Sequence, residues 1–186
     1  MSINTGYPEA YVAYLAEYYG SRDYFECHEI MEEFWKENPE SEFTSCWLVL
    51  IRISVCLYHA RRGNWKGAVK LMGKAAREAD PQLFDRLGVD GSSLSARLRQ
   101  VSLDWSDPGA VYDDIELPIT DERLLRAARR RCAELGYAWG IRGVDVGDEV
   151  IHRHLTRDRS DVVAARAESF ERKALSRRIP EPGSRP

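Results

Sequence analysis

Long uninterrupted apolar runs are missing from this 186-residue chain. The strongest candidate, WLVLIRISVCLY (residues 47–58), is interrupted by Arg52 and falls well short of the roughly 20 apolar residues that a membrane-spanning helix needs. No membrane association is predicted. The opening MSINTGYPEAYVAYLAEYY lacks the basic start, apolar stretch and small-residue cleavage site of a secretory signal, so the expected location is cytoplasmic. Cysteine is sparse: Cys27, Cys46, Cys56 and Cys132 form no CxxC pair, and three of them fall in apolar helical patterns, as reduced core thiols do. A phosphate-cradling glycine loop is lacking too, as is any serine or cysteine nucleophile motif, which argues against nucleotide-dependent and triad chemistries. Nothing alternates as a strand would, and the expected class is all-α.

What is present fits one domain. A 44% hydrophobic content is enough for a sizeable core at this length. The net charge of −3 is uneven. Residues 1–60 carry three basic and ten acidic side chains, residues 121–186 fifteen and eleven. The C-terminal arginines alternate with acids and lack interleaved aromatics, so they read as a solvated face and nucleic-acid binding is not expected. The partner classes left are a small molecule or another protein.

Helical spacing organises the first two thirds of the chain. Residues 8–19 open with Pro at a permitted first-turn position. Asp23, with Glu26 three residues on, has the form of a capping box for a second helix that should run to about Asn38 before Pro39. A third helix is expected from about Phe43 to Arg62, and Gly63-Asn64 turns the chain into a fourth that Pro81 ends. Further helices are expected at 94–105, 121–135 and 160–178. The predicted architecture is a compact bundle of antiparallel helical hairpins, about six to seven helices, over residues 1–143. An appended loop and charged helix (144–178) and a disordered tail (179–186) complete the chain. YFECHEIM (24–31) and WKGAVKLM (65–72) echo one another faintly, as related hairpins would.

Chemistry concentrates in the second and third helices. The run YFECHEIMEEFW contains HExxE, and residues four apart stack on one helix face, so His28 and Glu32 can share an ion or a hydrogen bond. Helical phase puts His28 and Glu32 toward the core, while Glu29 lies near the boundary of the apolar arc, where it could act as general base. The third helix is apolar nearly all round, and Arg52 and His59 share a face of it. A buried guanidinium needs a partner, and Glu32 is the expected one.

The cluster admits two readings. In one, His28, Glu32, Arg52 and His59 form a buried polar network that fixes helix register in a non-catalytic helical-hairpin interaction module. In the other, His28, Glu32 and His59 are ligands of a divalent metal (Zn, Mn or Fe) in a hydrolase, with Arg52 or Arg62 receiving an anionic substrate group. Arg52, competing for Glu32, decides between them.

The runs RDYFECHEIMEEFWKE and WLVLIRISVCLYHARRGNWKGAVKLM, with the later ELPITDERL, resemble the small all-α family called domain of unknown function 309. The patterns HExxEExW and YHxRRGNxxGA occur together and in order over roughly residues 10–140. The resemblance implies a helical bundle and a metal-dependent hydrolase, and it points to His28, Glu29, Glu32, Trp35, His59, Arg62, Asn64, Gly67 and Ala68. Trp35, Arg62 and Asn64 are then expected around the ligands or against substrate. The chain departs from the family where Arg52 replaces the glutamine of LIQ, and the segment after about residue 144 is not covered.

Overall fold

A computed structural model describes residues 6–156. The chain divides into two units, residues 1–153 and 154–186. Among its described residues, the first unit is built of seven helices: α1 (Glu9–Tyr19), α2 (Tyr24–Glu37), α3 (Thr44–Arg61), α4 (Trp65–Glu78), α5 (Pro81–Arg86), α6 (Gly91–Asp104) and α7 (Glu122–Glu134). A 3-10 turn (Gly143–Asp145) and a single helical turn, α8 (Asp148–Ile151), come after them. No strand occurs among the described residues, only an isolated antiparallel bridge between Val89 and Ile119. The all-α expectation holds. The expected helix at 160–178 and the tail lie outside the described residues.

Aspartates start most of these helices by accepting an otherwise unpaired first-turn N–H. Asp23 accepts from Glu26 N, Asp90 from Ser93 N and Asp121 from Arg123 N. At α2 the reciprocal half of a capping box goes elsewhere, because Asp23 N–H donates to Ser21 Oγ at 3.0 Å. Pro81 ends α4 as expected, but it also occupies the first turn of α5 behind the Asp80 cap, and α5 is not among the helices expected from the sequence.

Helix α3 is the central element, packed against both α2 and α4. Its Trp47, Leu50, Ile53, Cys56 and Leu57 are buried, as an element apolar all round requires. All four cysteines are buried and free. Helix α1 contributes a tyrosine core: the hydroxyls of Tyr14, Tyr18 and Tyr19 donate to the carbonyls of Leu50, Ile115 and Leu117 at 3.1, 2.6 and 3.0 Å. Two of these bonds hold the irregular segment ahead of α7. Buried carbonyls there have no ladder of their own and must find donors from side chains.

Candidate metal centre

One turn of α2 gathers the ligand-type side chains. His28 Nδ1 is 3.1 Å from Glu29 Oε1, and His28 Nε2 is 3.8 Å from Glu32 Oε2. One donor atom from each of the three residues lies within 4.8 Å of the others, and among the described residues no other trio of His, Cys, Asp or Glu does so. Their side chains are 25, 30 and 36% exposed, so the group is half-buried and open on one side. Lys36, one turn further on, places Nζ 3.2 Å from Glu32 Oε2.

This arrangement differs from the phase analysis in two ways. Phase sets Glu29 at the edge and Glu32 inward, yet Glu32 is the more exposed carboxylate and Glu29 turns back to His28. A glutamate has enough rotatable bonds to cross the roughly 100° that separates neighbouring positions on a helix. Nor does Arg52 meet Glu32. Its Nη1 pairs with Glu78 Oε2 on α4, and the Arg52 side chain is only 13% exposed.

His59 stands apart from the α2 trio. It shares the α4-facing side of α3 with Arg52, and its Nδ1 lies 3.1 Å from Asn64 Nδ2 at the start of α4. Burial, and then the Arg62 guanidinium, push its imidazole below the ordinary histidine value. Asn64 caps α4 through Oδ1, which accepts from Gly67 N at 3.2 Å. Arg62 lies over the Tyr58 ring at 5.1 Å from its centroid. Rings link the two helices here: Phe25 of α2 touches both His28 and Tyr58, with centroid separations of 6.2 and 5.9 Å. Trp35 is partly buried against the core. A groove of about 680 Å³ opens elsewhere, between Tyr7, Phe34, Asn38, Phe43, Trp47 and Arg86, and no proposed ligand lines it.

Local spacing gives no hint of a polar frame ahead of α2. Arg22 is 2% exposed and adopts a left-handed backbone, φ +53°. Its Nε donates to Ile141 O at 2.7 Å, and Nη2 lies 3.3 Å from Glu116 Oε1. Arg61, from the end of α3, donates to the Arg22 carbonyl at 2.9 Å with its guanidinium 4.8 Å from the Tyr24 ring centroid. The pairing residues lie about 40 to 120 positions away in the chain, out of reach of any local spacing rule. The frame anchors the first turn of α2, the helix that carries His28.

The chain belongs to the family described as Domain of unknown function (DUF309), whose model matches residues 11–71, from α1 into α4. It is 40% identical over 173 residues, 92% of this chain and 99% of the relative, to the uncharacterized protein YpuF of Bacillus subtilis (strain 168). No solved structure matches.

Proposed function

We propose that the protein is a metal-dependent hydrolase whose divalent ion (Zn, Mn or Fe) is held by His28, Glu29 and Glu32. The carrying observation is the convergence of one imidazole and two carboxylates within 4.8 Å on the surface of a single helix. That nitrogen and oxygen donor set suits all three metals. Bound there, the ion would polarise a substrate oxygen and lower the pKa of a coordinated water toward neutrality. Glu29, expected as general base, becomes the third donor in this reading. Arg62, held over Tyr58 on the neighbouring helix, is the residue proposed to receive an anionic substrate group.

Elemental analysis of protein purified without chelator or metal-affinity tag tests the proposal. Stoichiometric zinc, manganese or iron is the expected result, lost in Glu32→Gln. Protein that carries no metal and gains no thermal stability from any of the three would sink it.

A second reading, the non-catalytic helical-hairpin module, is favoured by a different observation. Lys36 already occupies Glu32, and Glu78 occupies Arg52, so both groups are satisfied without an ion. It predicts that Glu32→Gln leaves partner capture by the folded protein unchanged and removes no reaction.

A further inference from the structure

The turn between α3 and α4 sets the Asn64 amide against the His59 ring. Gly63, at φ +75°, reverses the chain, and Asn64 N–H then donates to the His59 carbonyl at 2.9 Å. The Asn64 side chain is thereby laid between two groups, the Gly67 N–H at the first turn of α4 and the His59 ring.

An amide has one acceptor end and one donor end. The Gly67 N–H can only donate, so Oδ1 must face it, as it does at 3.2 Å. Turning the amide over would set two donors against each other and leave a first-turn N–H of α4 without its cap. Nδ2 consequently faces His59 Nδ1 at 3.1 Å, and Nδ2 has no lone pair to offer. Position 67 adds a steric condition. A Cβ there would come within 2.9 Å of Asn64 Nδ2, so glycine leaves room for the amide in this orientation.

We propose that Asn64 acts as a positioning residue that holds His59 in the neutral tautomer protonated on Nε2, so that the outer face of the His59 ring offers a hydrogen-bond donor and not a metal ligand. A histidine that binds a metal through Nε2 carries its proton on Nδ1 and donates it to an acceptor. Here Nδ1 faces a donor. Coordination through Nδ1 is blocked by the same amide. The cap of α4 and the chemistry of His59 are therefore one device, and the GNxxGA run downstream of the histidine is what builds it. The neutral form agrees with the downward push on the ring from burial and from Arg62.

This tautomer deepens the metal reading by setting His59 outside its ligands and in that respect rests on it, yet the readout belongs to His59 alone. Long-range proton–nitrogen correlation on the full chain with 15N-labelled histidine, the His59 signals assigned with His59→Gln, reports the state of each ring nitrogen directly. At neutral pH, Nδ1 is expected in the unprotonated range and Nε2 in the protonated range. In Asn64→Asp one carboxylate oxygen still caps Gly67 while the other accepts from the ring, and the tautomer is expected to reverse. Adding zinc to the wild type is expected to move the His28 nitrogens and leave the His59 tautomer as it was. His59 found protonated on Nδ1 in the wild type, or unchanged by Asn64→Asp, overturns the proposal, as does zinc bound at His59 Nε2. Zinc that moves neither histidine removes the metal reading and leaves the tautomer assignment standing.

Discussion

Arg52 of α3 closes on Glu78 of α4 and leaves Glu32 of α2 to His28 and Lys36. The cation placed by the sequence in competition with a metal is thus paired with α4 instead of Glu32. Separate groups stand in place of one network: His28, Glu29 and Glu32 on α2, the Arg52–Glu78 pair between α3 and α4, and the His59–Asn64 pair at the turn that joins those two helices.

Arg52→Gln should therefore cost fold stability and spare the α2 cluster. Losing the ion pair to Glu78 is expected to lower stability by about 1 kcal/mol, since Glu78 is partly exposed and its Coulomb contribution is screened. The shift in urea midpoint measures this. Zinc affinity should stay within about twofold of wild type, a difference of roughly 0.4 kcal/mol. A collapse of metal binding in this variant would place Arg52 in the site after all.

Lys36 is the competing cation that remains. Its Nζ must release Glu32 Oε2 before that oxygen can serve an ion. Lys36→Met should tighten zinc binding by about fivefold, the equivalent of an exposed ion pair worth about 1 kcal/mol. Titration calorimetry checks it. Weaker binding in Lys36→Met would mean that the ammonium supports the site.

Glu17 gives a pH dependence with a definite sign. The residue is 9% exposed, and burial raises its carboxyl above the ordinary value, with the Ser21 hydroxyl pulling the other way. The folded chain therefore holds this proton more tightly than the unfolded chain. Its stabilising contribution is complete below the unfolded value of about 4.3 and is lost as pH rises through the higher folded value. Glu17→Gln should raise the melting temperature at pH 7, with the advantage shrinking to nothing as the medium is acidified below about pH 4. Melting curves across that range read it out.

The tyrosines of α1 hold the irregular segment by single hydroxyls. Tyr18→Phe removes the donor to Ile115 O, a fully buried pair, and leaves the carbonyl unsatisfied. A cost of about 1–3 kcal/mol is expected from denaturant unfolding. Tyr19→Phe acts on two bonds at once, because Leu117 donates its N–H to the same hydroxyl that bonds its carbonyl.

What can be read from the sequence tracks how local each cause is. Asp23, Asn64 and Pro81 act within a turn of themselves, and the ends of α2, α3 and α4 fall within one or two residues of expectation. Helix α5 escapes because Pro81 reads as a stop, although it is also a first-turn residue. Phase correctly gives Arg52 and His59 a common face. It cannot say which neighbour that face meets, since α3 is apolar on nearly every side and packs against both α2 and α4. Phase also treats a side chain as a point on a wheel, which fails for a long carboxylate such as Glu29. The Arg22 frame and the tyrosine bonds depend on partners about 40 to 120 residues away, for which spacing carries no signal.

Zinc titration by calorimetry into four proteins, the wild type, His28→Gln, Glu32→Gln and His59→Gln, tests the ligand assignment most directly. One equivalent should bind the wild type and His59→Gln with similar affinity, and binding should be lost in His28→Gln and Glu32→Gln. Loss of binding in His59→Gln, or retention in His28→Gln, would contradict a metal centre built on α2.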